Sequence, residues 1–201
     1  MSGNQPGPHA ATTAVLAGGA ASRMGGQDKG LLELKGRPLV DWVIETLKRE
    51  SNGPILIVAN RNVSRYAQFA QTVSDTVPGY AGPLAGICAA MAACRTPWLF
   101  TVPVDCVIPP PGLLRELQRA ARLHGARAVV AHDGRRRQPL FALYSTELGN
   151  SCTLALERAQ GVSRWQDSLG IVEVGLANSQ AEWVNLNSAE EFSAYEKALD
   201  G

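Results

Sequence analysis

The run Thr12 to Ala17 is β-branched or apolar throughout and stops abruptly at Gly18-Gly19. A strand with one wet face alternates apolar and polar side chains, whereas an unbroken run marks a strand covered on both faces, as in a parallel sheet. The segment Pro38 to Glu50 places proline at a helix start and Leu39, Trp42, Val43 and Leu47 at helical spacing. Within Pro54 to Ala59, Ile55, Leu56, Ile57 and Val58 then form a second unbroken run. Strand, loop, helix, strand is a βαβ unit, and a sheet made of such units needs helices on both faces.

The alternation continues along the chain. It predicts a polar helix near Ser64 to Ala70, a short strand near Thr72 to Ser74, and a helix of small residues from Pro83 to Cys94. Trp98 to Val104 is a further apolar run ending in Asp105, followed by a helix near Gly112 to His124 and a strand at Arg127 to His132. Asp133-Gly134 marks a hairpin returning through Leu140 to Tyr144. Ser188 can cap a last helix, with Glu191 at the capping-box position and Phe192, Tyr195 and Leu199 on its buried face. The expectation is a flexible arm over residues 1–11 and one three-layer α/β/α domain with a mostly parallel sheet over residues 12–201. Ligands of such sheets lie outside the carboxyl ends of the strands. Gly18-Gly19, Asn60, Asp75 and Asp105 each follow a predicted strand, so all fall on one rim.

Charge and cysteine usage narrow the function. Lys plus Arg is 19 and Asp plus Glu is 18, a net charge of +1, which removes the compositional support for nucleic-acid binding. Met1 to Ala11 has neither a basic nor an apolar region of a signal peptide, and no apolar stretch reaches about 18 residues, so no membrane association is expected and a cytoplasmic location is. Cys88, Cys94, Cys106 and Cys152 contain no C-x-x-C pair and His9, His124 and His132 are scattered, which leaves no zinc ligand set. Free thiols in a reducing compartment are the expectation.

The chemistry concentrates in Leu16-Ala17-Gly18-Gly19-Ala20-Ala21-Ser22-Arg23-Met24-Gly25-Gly26-Gln27-Asp28-Lys29. Glycines in a loop after a strand let backbone N–H groups approach phosphate oxygens, and Arg23 and Lys29 supply the positive charge a triphosphate requires. Neither G-x-x-x-x-G-K-[ST] nor G-x-G-x-x-G can be laid on it. Asp75 and Asp105 are carboxylates at strand ends, and magnesium takes one or two carboxylates together with substrate phosphates. Opposing carboxylates facing a basic glycine loop would complete such a site.

Leu-Ala-Gly-Gly and Ser-x-Arg-Met-Gly-Gly-x-Asp-Lys-Gly, continuing through Leu31, Leu34, Gly36 and Pro38-Leu39, resemble the signature of molybdenum cofactor guanylyltransferases within the nucleotidyltransferase superfamily. The resemblance recurs at Ala59-Asn60-Arg61-Asn62, Asp75, Gly82-Pro83-Leu84-Ala85-Gly86, Pro103-Val104-Asp105, Gln138-Pro139-Leu140-Phe141 and Asn185-Leu186-Asn187, and so covers about Thr13 to Leu199. It implies a Rossmann-like fold, with Arg23, Lys29 and Asp105 as catalytic residues. It also implies GTP binding by Leu16, Ala17, Gly18, Gly19, Lys29, Asn60, Asp75 and Asp105, and Mg2+ at Asp105. The implied reaction is transfer of GMP onto the terminal phosphate of molybdopterin or its molybdenum-loaded form, with molybdoenzyme apoproteins and their chaperones as further candidate partners. The family usually reads Pro-Cys-Asp-Thr/Met-Pro around the metal carboxylate; here the stretch is Pro103-Val104-Asp105-Cys106-Val107.

Two other readings compete. A cytidylyltransferase of the same superfamily commonly reads Leu-Ala-Ala-Gly at the loop, and Gly18 therefore favours guanine. A non-enzymatic carrier of the pterin cofactor would have no need of Lys29 or Asp105. The expected division is a nucleotide half over about residues 12–108 and an acceptor half over 109–201. Gln138 to Trp165 is the default pterin region, where Arg164 and Trp165 offer a cation and a stacking surface, although a tryptophan is more often core. Arg135 to Arg137 are read first as a solvated hairpin tip.

Overall fold

Every residue of β1 (Ala11–Leu16) is buried, as its composition requires. Ala11 and Val15 face one side of the sheet, and Ala14 and Leu16 the other. The strand is clamped in parallel between β4 (Ile55–Val58) and β6 (Trp98–Pro103), defined here with the remaining elements of the computed structural model, which describes residues 9–18, 28–51, 53–75, 82–175, 184–186 and 189–198. The first half further contains β2 (Glu33–Leu34), β3 (Arg37–Pro38), α1 (Leu39–Glu50), α2 (Val63–Tyr66), β5 (Gln71–Val73), α3 (Pro83–Ala93) and β7 (Cys106–Ile108). The second half contains α4 (Leu113–His124), β8 (Ala128–His132), β9 (Arg137–Ser145), α5 (Gly149–Glu157), α6 (Val162–Ser168), β10 (Val172–Gly175), β11 (Val184–Asn185) and α7 (Ala189–Ala198).

The main sheet has seven strands in the order β10-β8-β9-β6-β1-β4-β5. All of its pairings are parallel except the two made by β9, which runs against both β6 and β8. One face is covered by α1 and α4 through Val40, Val43, Ile44, Leu47, Leu113 and Leu117. The other is covered by α3, α5 and α6 through Leu84, Ile87, Cys152, Ala155, Val162 and Trp165. Small residues in α3 permit close approach: a Cβ on Gly86 would lie 3.2 Å from Val58 Cγ1. The expected three-layer α/β/α arrangement with a mostly parallel sheet is the one observed. No helix among the described residues is long and apolar enough to cross a membrane.

The first strand begins at Ala11, one residue inside the segment expected to be a flexible arm; residues 1–8 of that arm lie outside the described part. The hairpin across Asp133-Gly134 forms as expected, with Asp133 accepting both the Arg135 and Arg136 N–H groups at 2.8 Å. Of the expected last helix, Ser188 and Leu199 lie outside the described residues, while Phe192 is buried. The helix packs back onto the first half, where Phe192 joins Leu34, Leu39, Val107 and Leu186 and Glu196 accepts the Lys35 N–H.

The expectation of four free thiols is corrected. Cys88 on α3 and Cys152 on α5 are joined by a disulfide with Cα atoms 5.8 Å apart. Spacing could not reveal it, because the partners are 64 residues apart and meet only through helix packing on one face of the sheet. Cys94 is half-buried and Cys106 fully buried. Burial, and then the neighbouring Asp105 charge, push the Cys106 thiol up to about 12, so its nucleophilic thiolate is suppressed. Thiol titration at pH 8 without reductant should therefore find one fast-reacting group, Cys94. Unfolding alone should raise the titre to two, and unfolding with reduction to four; a titre of four without reductant would contradict the bond.

Candidate active site

The rim at the carboxyl ends of the strands is built by the sheet ladder itself. Ala17 donates its N–H to Val58 O at 2.9 Å, and Leu16 O accepts from Val104 N at 3.1 Å, so these two residues are held by β4 and the end of β6. Any backbone donor that β1 offers to a ligand therefore comes from Gly18 onward. A Cβ on Gly18 would meet only Val58 O, at 3.9 Å. Gly19 and Arg23 lie outside the described residues.

Beside that opening, Lys29 Nζ reaches Asp105 Oδ2 at 3.0 Å, with both side chains about one-quarter exposed. A pair so placed contributes on the order of 1 kcal/mol or less, so a ligand can take over either partner at little cost in stability. Asn60, two residues beyond β4, donates through Nδ2 to Asp75 Oδ2 at 2.6 Å and accepts the Asp75 N–H through Oδ1 at 3.0 Å. These reciprocal bonds fix the loops after β4 and β5 to one another.

Asp75 and Asp105 do not share a position. β5 and β6 are separated by β4 and β1, three strand spacings or about 14 Å, whereas one magnesium ion draws its oxygens to about 2.1 Å. Opposing carboxylates closing on one ion are thus not what the sheet order builds: Asp105 follows the central strand and Asp75 the edge strand. No group of three or more acidic, histidine or cysteine residues that could hold a metal occurs among the described residues. Asp105 is a hard-oxygen donor beside the Lys29 cation. That suits magnesium, which is commonly held by one or two carboxylates and substrate phosphates rather than by an all-protein cage.

Several partners of the site were given no role by the sequence: Asp28 and Asn62 stand in the signature stretches unassigned, and Tyr66 carries no mark at all. Asp28, next to Lys29, accepts from the Tyr66 hydroxyl through Oδ1 at 2.5 Å and from Asn62 Nδ2 through Oδ2 at 2.9 Å. Burial first, and then Asp28, push the Tyr66 phenol well above its ordinary value, so it remains a donor. Leu186 donates its N–H to Asp105 O at 2.9 Å, and Asn185 pairs with Cys106, so the C-terminal segment returns to the Asp105 loop. The recurrence of Asn185-Leu186-Asn187 in the family signature was the available signal for that contact.

The expected pterin region resolves differently. Trp165 is fully buried, donates to Ser151 Oγ at 3.1 Å and lies 5.0 Å from the Tyr144 ring, so it is core and offers no stacking surface. Arg164 is exposed. Arg137 is engaged by Asp167 at 2.6 Å and by Glu173 at 2.6 Å, which makes it a brace between β9, α6 and β10. Arg135 and Arg136 are exposed at the hairpin tip.

Residues 13–174 match the family model described as the MobA-like NTP transferase domain. The chain belongs to that family. Among its relatives, a protein of Shewanella sp. strain MR-4 named molybdenum cofactor guanylyltransferase is 40% identical over 179 residues, covering 88% of this chain and 90% of that protein. Among solved structures, molybdopterin-guanine dinucleotide biosynthesis protein A from Archaeoglobus fulgidus superimposes with a TM-score of 0.76 at 21% identity, covering 94% of this chain and 98% of that one. A Mycobacterium tuberculosis H37Rv protein solved in complex with manganese superimposes with a TM-score of 0.66 at 12% identity, covering 94% and 99% of the two chains. The expected α/β nucleotidyltransferase fold is confirmed, and this member of the family is a nucleotidyltransferase.

Proposed function

We propose that this enzyme transfers GMP from GTP to the terminal phosphate of molybdopterin, forming the guanine dinucleotide form of the molybdenum cofactor and releasing pyrophosphate. The observation that carries the reading is the Lys29–Asp105 pair beside the glycine opening of β1. It sets a cation for the triphosphate against a hard-oxygen ligand on one rim. The guanylyltransferase name of the Shewanella relative supports the choice of base and acceptor.

In the reaction an oxygen of the acceptor phosphate forms a bond to the α-phosphorus of GTP, the bond from that phosphorus to the bridging oxygen breaks, and pyrophosphate leaves. Phosphate is already ionised at neutral pH, so no side chain must first remove a proton. The chain's task is positioning and charge neutralisation. Lys29 offsets charge on the triphosphate, with Arg23 proposed to do the same. Gly18 lets the backbone approach the nucleotide, with Gly19 proposed to do the same, and Asn60 with Asp75 supplies a fixed polar group toward the β5 edge of the rim. Asp105 would hold the metal, for which we propose Mg2+; when bound, it neutralises phosphate charge. The manganese complex of the tuberculosis protein supports a divalent ion at such a fold.

The experiment is a comparison of pyrophosphate release from GTP and from CTP with molybdopterin and magnesium. GTP should be preferred by at least tenfold. Preference for CTP would move the enzyme to the cytidylyl class, and absence of pyrophosphate from either nucleotide would leave a carrier.

A further inference from the structure

Lys29 belongs to a short 3₁₀ turn, Lys29–Leu31, and a turn of three residues has little rigidity of its own. What fixes it comes from outside. Both carboxylate oxygens of Asp28, the residue before the turn, are taken by side chains of the segment after β4: the Tyr66 hydroxyl on Oδ1 at 2.5 Å and Asn62 Nδ2 on Oδ2 at 2.9 Å. Tyr66 is fully buried, so its ring is a fixed post rather than a surface contact. The next residue of the turn, Gly30, lies directly against it. A Cβ there would collide with the Tyr66 hydroxyl and come within 3.0 Å of Val104 Cγ2, the side chain preceding Asp105. Asn62 holds a left-handed backbone, φ 50°, immediately before α2. Two residues earlier on the same segment, Asn60 is bonded to Asp75.

We infer that Tyr66 and Asn62, acting through Asp28, are positioning residues that set Lys29 for the nucleotide phosphates. The segment Asn60 to Tyr66 thereby braces the Lys29 turn against the Asn60–Asp75 pair. This deepens the proposed function and rests on it, since it takes the Lys29 ammonium as a triphosphate contact.

Tyr66→Phe retains the ring that packs under the turn and deletes only the hydroxyl. Kd for GTP is to be measured by calorimetry for the wild type, Tyr66→Phe, Lys29→Ala and the double variant, each with a melting curve. Lys29→Ala should weaken GTP about tenfold. Tyr66→Phe should weaken it about fivefold when Lys29 is present and less than twofold when Lys29 is absent. A structural role alone would lower Tm without such dependence on Lys29, because independent effects add. Equal losses from Tyr66→Phe in both backgrounds, or no loss in either, would overturn the brace while leaving the function standing. If Lys29→Ala itself leaves GTP affinity unchanged, the triphosphate contact fails, and the brace fails with it. Asp28→Asn provides a second variant should Tyr66→Phe not fold: it keeps the shape but replaces one accepting oxygen with a donor, and it should weaken GTP only where Lys29 is present. Equal loss in both backgrounds there too would overturn the brace.

Discussion

Asp105→Ala is expected to lower guanylyl transfer by on the order of 10³-fold, the scale seen when a preorganised electrostatic stabiliser is removed from a reacting centre. The fold should survive. The Asp105 side chain is about one-quarter exposed and its described contact is the ion pair with Lys29, worth on the order of 1 kcal/mol or less. Its tie to the C-terminal segment runs through the backbone oxygen, which accepts from Leu186 N and is untouched by truncation. The substitution therefore removes the proposed metal ligand without opening a cavity, and Tm should move by only a few degrees, a loss of about 1 kcal/mol corresponding to roughly 2–4 °C in a chain of this size. The measurement is pyrophosphate release from GTP with molybdopterin across a magnesium titration. Activity within tenfold of the wild type at saturating magnesium would show that the metal is held elsewhere. The same substitution takes the Asp105 carboxylate away from the Lys29 ammonium, so GTP affinity in the absence of magnesium should hold or rise.

The legibility of this chain followed the length of its signals. β1, β4 and β6 are unbroken apolar runs because each is covered on both faces, and α1 and α4 have faces wide enough to show helical spacing. Their ends then gave the rim without further information. β2, β3, β7 and β11 have two or three residues, too few for any periodicity, and they exist because neighbouring segments pair with them. α5 and α6 were missed in a region read as an acceptor site, although their buried Cys152, Ala155, Val162 and Trp165 cover the sheet. Within the site, Lys29, Asn60, Asp75 and Asp105 could be named because each follows a strand or a glycine loop. The roles of Asp28, Asn62 and Tyr66 could not be read, although Asp28 and Asn62 stand in the signature stretches, since their meeting depends on how the segments after β1 and β4 approach one another. The disulfide is of the same kind: neither Cys88 nor Cys152 carries any local mark of its partner.

The choice of guanine rests on Gly18, and Gly18→Ala is expected to lower kcat/KM for GTP at least tenfold while affecting CTP much less. The residue lies where β1 opens into the loop, and Ala17 behind it is fixed by its bond to Val58 O at 2.9 Å. The backbone therefore has little freedom to retreat from an added methyl. The protein itself tolerates the group: the new Cβ would lie 3.9 Å from Val58 O, an ordinary contact, and Gly18 does not use the left-handed backbone that would strain an alanine. Any loss must then come from the ligand side. Overpacking a close contact costs on the order of 1–3 kcal/mol, or roughly 5- to 150-fold in rate or affinity. A purine extends further from its ribose than a pyrimidine, so the penalty should fall on GTP. Steady-state rates with both nucleotides, at fixed pH, magnesium and molybdopterin, together with a melting curve, provide the comparison. A variant that folds as the wild type does and keeps an unchanged preference for GTP would show that the base is read away from Gly18. The difference between Leu-Ala-Gly-Gly and Leu-Ala-Ala-Gly would then carry no base discrimination, and selectivity would have to reside at the Asn60–Asp75 end of the rim.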